Sequence, residues 1–159
     1  MNRLIASLIF LFIITGLSAQ HHDHQHGSIH LGIGAGATYL FAEEAVMPGL
    51  HFHAMKSLGH GKFSAGLGFE SLLDEHSHYS FSLLAGYSPL EKLVLKAGPG
   101  LTLSKHEGHW EQGVSAHFEC IYEFNLRYFH IGPMICLGID RHETHATLGL
   151  HLGIGLHKK

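Results

Sequence analysis

From residue 28 onward, apolar residues alternate with polar or small ones in short runs broken by turn residues. A period of two is the mark of a strand with two unlike faces. It predicts eight strands, over residues 28–42, 49–58, 62–73, 79–88, 92–104, 112–124, 127–140 and 145–157. In the first run Ile29, Leu31, Ile33, Ala35, Ala37, Tyr39 and Phe41 share one face, and His30, Gly32, Gly34, Gly36 and Thr38 the other. The last run repeats the pattern with Leu148, Leu150, Leu152, Ile154 and Leu156 against Thr147, Gly149, His151, Gly153, Gly155 and His157. Followed through all eight runs from its first apolar residue in each, the apolar face is broken only by Lys56 and Ser71, and no histidine falls on it.

Alternation does not say which face points inward. A soluble barrel packs its apolar face inside, whereas a transmembrane barrel turns it to lipid. The second face is rich in Gly, Ser and His and poor in charge, which suits a narrow filled lumen. The aromatics of the apolar face gather near strand ends: Tyr39, Phe41, Tyr79 and Phe81 toward one rim, and Phe63, Tyr87, Tyr122, Phe124 and Phe129 toward the other. That is the arrangement of interfacial girdles. The strands are also long enough to cross a bilayer at a tilt. These features predict an all-β chain, an eight-stranded antiparallel up-and-down transmembrane β-barrel. Closure is expected because unpaired backbone groups are not tolerated in hydrocarbon. Both mature termini are then expected on the periplasmic side. Periplasmic turns would lie near 58–62, 88–92 and 123–127, and short external loops near 43–48, 74–78, 105–111 and 140–144.

The N-terminus reads differently. Arg3 precedes an apolar run from Leu4 to Leu17, followed by Ser18 and Ala19. This is the grammar of a secretory signal peptide, and the run is shorter than the roughly 20 residues of a spanning helix. The expected organisation is a signal peptide over residues 1–19, a His-rich periplasmic tail over 20–27 and the barrel over 28–159. No lipobox-like Cys follows the expected cleavage site.

Composition agrees with lipid exposure. Only 14% of the 159 residues are Asp, Glu, Lys or Arg, 45% are hydrophobic, 20 are Gly and 18 are His. A soluble domain carries roughly 25% charged residues. A net charge of −3 offers no large basic surface, so no nucleic-acid partner is expected.

In this alternation, phasing and loop length, the mature chain resembles the small eight-stranded outer-membrane barrels, the "outer membrane protein beta-barrel" type. It is similar in architecture to the outer-membrane protein A transmembrane domain. The resemblance implies residence in the cell outer membrane, contact with its lipid and lipopolysaccharide, assembly by the barrel-insertion machinery, and a monomer. Two features depart from the pattern. The chain ends His157-Lys158-Lys159 where many such barrels end on an aromatic, and Pro99 and Pro133 sit inside strands in the matching runs KAGPG and HIGPM. Bulges are expected at both prolines. Cys120 falls on the lipid face and Cys136 on the lumen face, so no disulfide between them is expected, and both read as small fillers.

The histidines carry the candidate chemistry, since neutral imidazole is a common ligand for Cu, Zn and Ni. His76 and His78, His106 and His109, and His142 and His145 form pairs in three external loops beside Glu75, Glu107 and Glu143. His21, His22, His24 and His26 crowd the tail. Both groups are candidate metal ligands. On the lumen face His30, His51, His53, His117, His130, His151 and His157 share space with Glu70, Lys96, Glu119 and Glu123. Of these, Glu70, Lys96, His117, Glu119, His130 and His151 are expected to form a structural polar network.

No catalytic residues are expected, because the His pairs lack the spacing of a helical His-Glu-x-x-His site. The function expected is a non-enzymatic outer-membrane barrel that binds a transition metal through external loops and tail. The alternative is a structural or adhesion barrel with no metal role. A remote third is a lipid-modifying enzyme, because outer-membrane deacylase barrels use a Ser–His pair and Ser77 stands between His76 and His78. The flanking pattern of that family is absent.

Overall fold

The computed structural model describes residues 28–58, 62–73, 78–106, 109–126, 129–141 and 143–156. The expected signal peptide and tail lie outside them. The described chain is all strand and turn: β1 (Ile29–Leu40), β2 (Ala45–Leu58), β3 (Phe63–Leu72), β4 (His78–Leu90), β5 (Leu93–His106), β6 (His109–Tyr122), β7 (Phe124–Asn125), β8 (His130–Ile139) and β9 (Thr144–Leu156). Among the described residues no helix is long and apolar enough to cross a membrane. Each strand pairs antiparallel with its sequence neighbour, β1 pairs with β9, and β6 pairs with β8. The short β7 continues β6 beyond Glu123, and its pairs with β8 keep the β6–β8 register. The result is a closed eight-stranded barrel, in which the first half of β6, His109–Ser115, runs beyond β8 and pairs with β5 alone.

The faces separate as the alternation predicts. Leu67, Leu101, Val114, Leu148 and Leu150 are more than half exposed on the outer surface, while His51, Glu70, Lys96, His117, Glu119 and His151 are buried inside. The protein is thus a transmembrane barrel turned inside out relative to a soluble one. Aromatic pairs bracket it. At the end that carries both chain termini Phe63 stacks on Tyr87 (centroids 5.1 Å apart), and at the opposite end Tyr79 stacks on Trp110 (6.1 Å). Part of the lumen is apolar as well: Ile121, Met134 and Cys136 pack together against Val94.

Strands run further toward the opposite end than the alternation suggested. β2 begins at Ala45 because Ala45–Pro48 continue the ladder with Ala37–Leu40. β6 begins at His109, which pairs with His106 of β5. Two loop-end turns are tied together by side chains. Asp140 Oδ1 accepts the Glu143 amide at 2.7 Å, and the Glu143 carboxylate accepts the Ala42 amide at 3.1 Å.

The bulges expected at Pro99 and Pro133 are absent. Pro99 pairs with Ala116 and Pro133 with Leu150 in unbroken register. A register shift occurs instead between Tyr87 and Leu90, where Pro89 lies. The two inner prolines share another device. A proline offers no N–H to the neighbouring strand, and the carbonyl facing each one leans over the preceding glycine. A Cβ on Gly98 would collide with the Leu83 carbonyl oxygen, and one on Gly132 with that of Tyr122. The same approach recurs at Gly36, Gly66 and Gly149, which precede no proline. What marks the Gly-Pro pairs is that the ladder to β4 lapses between Gly100 and Ala97 and the ladder to β6 and β7 between Met134 and Ile131, without a change of register.

Two outcomes follow from this packing. Gly98→Val destabilises the barrel by about 3 kcal/mol through overpacking against backbone, read as a lower midpoint in urea refolding into lipid vesicles; an unchanged midpoint contradicts the close approach. Leu150→Arg at mid-strand costs about 2–4 kcal/mol and Leu58→Arg at the rim about 0–1. Equal costs would mean that the outer face does not meet a bilayer.

Candidate functional site

The lumen is lined from every strand because inward positions recur at every second residue. Its width leaves room for side chains only, and small residues make space for the rings. A Cβ on Gly32 would run into the His53 and His151 rings, one on Gly138 into His145, and one on Gly153 into His130. Imidazoles lying over glycines therefore fill the section that larger aliphatic pairs would fill in a soluble core.

Glu119 stands at the centre. Its Oε1 accepts from Lys96 Nζ at 3.3 Å, and Lys96 also donates to His53 Nε2 at 2.9 Å. Its Oε2 lies 3.1 Å from His51 Nε2 and 3.9 Å from His117 Nε2. Burying a lone ammonium or carboxylate would be prohibitive, so the pairing of Lys96 with Glu119 is what permits either to be inside. Toward the opposite end Glu70 Oε2 takes a hydrogen bond from His145 Nε2 at 3.1 Å and lies 3.6 Å from His117 Nδ1. Thr38 and Thr147 hydrogen-bond across the β1–β9 seam at 2.7 Å.

The rings form a column. His117 stacks on His51 (5.0 Å between centroids), which contacts His53 (5.4 Å), which stacks on His151 (5.0 Å). His151 stacks on His130 (5.3 Å), and His130 lies 6.2 Å from His30. Glu123 is 3.4 Å from His130, and Ser28 Oγ hydrogen-bonds His30 Nε2 at 2.9 Å near the terminus end. One imidazole series thus reaches from the Glu70 level to the terminus end of the lumen.

The network residues named from sequence are all brought inside. Glu70, Lys96, His117 and Glu119 form the connected centre, with His130 and His151 stacked below it. The loop histidines are distributed differently. His145 belongs to β9 and points into the lumen rather than standing on a loop, because the strand continues outward past it. His78 opens β4 and is buried. Together with His145, Glu70, Thr102, Asp140 and Glu143 it lines a recess of about 10 Å³, room for one water-sized guest. His109 is exposed, and His106 ends β5 opposite it in the register. His76, His142, His21, His22, His24 and His26 lie outside the described residues, as do Ser77 and His157.

The tight donor sets among the described residues are in the lumen, not at the rim. His51, His117 and Cys136 form one, His51, His53 and Glu119 a second, and Glu123, His130 and His151 a third, each with ligand atoms within 4.8 Å of one another. The site list read from sequence omitted His51, His53 and Cys136. Both His51 and His53 were legible as lumen residues from phasing. That Cys136 sits beside Glu119 needed the β6–β8 register, which pairs the two directly. Cys120 and Cys136 are both free, the first exposed and the second buried.

No family model and no curated protein matches the chain. Among solved structures it is similar to Ail, the attachment invasion locus protein of Yersinia pestis, at 16% identity and a TM-score of 0.54, over 83% of this chain and 100% of that one. It is similar to the N-terminal β-barrel domain of Pseudomonas aeruginosa OprF at 15% identity and a TM-score of 0.52, over 82% and 100%. Neisserial surface protein A shares 6% identity at a TM-score of 0.51, over 80% and 96%. The chain therefore has the fold of the small eight-stranded outer-membrane barrels.

Proposed function

We propose that this chain is a non-enzymatic outer-membrane protein that binds a transition metal, Cu, Zn or Ni, at its external end and through its His-rich tail. On this reading the terminus end faces the periplasm and the chain is exported by residues 1–19. It is inserted by the barrel-assembly machinery, and it stands as a monomer among lipid and lipopolysaccharide. One observation carries the metal reading. The recess at the end opposite the termini gathers His78 of β4 and His145 of β9 with Glu70, Asp140 and Glu143, beside Leu72, Tyr79, Ser80 and Thr102, around a space of about 10 Å³. Imidazoles and carboxylates around so small a space suit an ion better than an organic ligand. His106 and His109 are register partners at the end of the neighbouring β5–β6 hairpin.

The lumen supports a binding role over a transport role. It is filled by stacked imidazoles, a buried ion pair and an apolar cluster. Planar-bilayer recordings of the refolded protein should accordingly show no open-channel steps; stable unitary conductance would contradict a filled lumen.

The metal role is tested by titrating the refolded mature chain with Cu(II), Zn(II) and Ni(II) beside two variants. The first replaces His76, His78, His106, His109, His142 and His145 with Ala, and the second replaces His21, His22, His24 and His26. The expected result is that each set removes bound equivalents, with affinity at the rim falling about tenfold or more. Binding that survives the rim replacement and vanishes with the tail replacement leaves a structural or interaction barrel with a metal-binding tail. Binding unaltered by both replacements overturns the proposal.

A further inference from the structure

We propose a second metal site, inside the lumen and separate from the rim. It holds one borderline-soft divalent ion of the zinc class between His51, His117, Glu119 and Cys136. Three observations converge on these residues. First, they are inward neighbours across strands. Glu119 of β6 pairs directly with Cys136 of β8, His117 stands two residues before Glu119 on the same face, and His51 stacks on His117 with ring planes 10° apart. One donor atom each from His51, His117 and Cys136 lies within 4.8 Å of the other two. The Glu119 oxygen lies 3.1 and 3.9 Å from the two imidazole nitrogens. Bonds of about 2.0–2.3 Å in a tetrahedron place neighbouring ligand atoms roughly 3.3–3.7 Å apart. The His51, His117 and Cys136 donors must therefore draw in from spacings of up to 4.8 Å, and Glu119, which shares His51 with a second triad, completes the shell by turning toward them.

Second, several of these donor atoms are buried without a hydrogen bond, although His51 and His117 face Glu119 across ion-pair distances. His51 Nδ1 and Nε2, His117 Nε2 and Glu119 Oε2 make no hydrogen bond among the described residues. Their side chains are no more than 3% exposed. His51 Nε2 and Glu119 Oε2 are near each other, yet not aligned as a hydrogen bond. Buried polar atoms are otherwise almost always paired. One nitrogen of His51, His117 Nε2 and Glu119 Oε2 beside a thiol are donors that a shared ion would satisfy; His151, further along the column, also has both nitrogens unpaired.

Third, the surroundings are those of an oriented ligand shell. The second nitrogen of His117 faces Glu70 at 3.6 Å, the carboxylate–histidine arrangement that leaves the other nitrogen for a metal. The other oxygen of Glu119 is held by Lys96, which fixes the carboxylate and leaves Oε2 toward the donors. Charge favours a divalent guest. Beside these donors one buried ammonium, Lys96, stands against the two carboxylates Glu70 and Glu119, while the third buried carboxylate, Glu143, lies in the recess at the mouth. A divalent ion bound by the Cys136 thiolate adds one net positive charge, with the thiol proton passing to solvent, and the balance closes. The mixture of one sulfur, two imidazoles and one carboxylate suits zinc(II) better than a hard alkaline-earth ion.

The experiment uses cobalt(II) and zinc(II) on the refolded full mature chain. Cobalt(II) is expected to bind with a thiolate-to-metal charge-transfer band in the near ultraviolet. That band is lost in Cys136→Ser, retained in Cys120→Ser, and weakened about tenfold or more in apparent affinity in His51→Gln and His117→Gln. It persists in the tail variant and in a rim variant that keeps His145, the partner of Glu70, so failure of the rim reading leaves this site standing and the reverse. Absence of a thiolate band in the unaltered chain, or a band that survives Cys136→Ser, overturns the proposal. Should the lumen variants not refold, zinc-edge X-ray absorption on the Cys120→Ser protein decides the matter. One sulfur in the first coordination sphere supports the site, and a shell of nitrogen and oxygen alone overturns it.

Discussion

Everything in this barrel depends on hydrocarbon accepting no unpaired polar group. The backbone meets that demand by closing β6 onto β8 and β1 onto β9. The side chains meet it by sorting: whatever cannot face lipid must face the lumen. A soluble protein would place Lys96, Glu70 and Glu119 in water, where each is solvated at no structural expense. Here they are driven into a space with room for side chains alone, and they fit only as partners. Lys96 against Glu119, and Glu70 against His117 and His145, are consequences of the outer face rather than separate inventions.

Histidine is well suited to this demand. It can be buried neutral, unlike Lys or Glu, yet it offers a donor or an acceptor on each side of a flat ring. Flat rings stack in a narrow tube, and the glycines opposite supply the depth. His53 and His151 lie at Gly32, His130 at Gly153, and His145 at Gly138. The chain's two compositional excesses, glycine and histidine, are therefore complementary halves of one packing solution. The same solution brings metal-ligand atoms close together, because rings stacked 5.0 Å apart carry their nitrogens at comparable spacing.

The fold was legible because period-two alternation acts directly on burial. Each residue from Ile29 to Tyr39 declares its face without knowledge of any partner. Strand ends were less legible. Ala45–Pro48 and His109–Trp110 do not alternate cleanly, and they are strand because a neighbour continues beside them. The prolines misled for a related reason. A missing N–H must be accommodated somewhere, and here it is met by a lapse of pairing on one side with the register kept, an outcome that depends on strands remote in sequence. The candidate site divides in the same way. His117 and Glu119 on one face follow from spacing, whereas Cys136 beside Glu119 follows only from the register across the β6–β8 closure. His145 read as a loop residue because His142 and His145 flank an apparent turn, yet the turn ends at Glu143 and the ladder resumes at Thr144.

Glu70 joins the two ends of the chemical argument. A single carboxylate oxygen takes the hydrogen bond of His145, in the recess at the barrel mouth, and faces His117, in the lumen centre. One negative charge thus orients both rings, and a cation arriving at either ring changes the field at the other through a path of two contacts. Charge balance in the lumen centre and ligand availability at the mouth are for that reason not independent properties. A barrel that must pair every buried charge to exist in lipid acquires, from the same pairing, an electrostatic connection between the recess at one mouth and its interior.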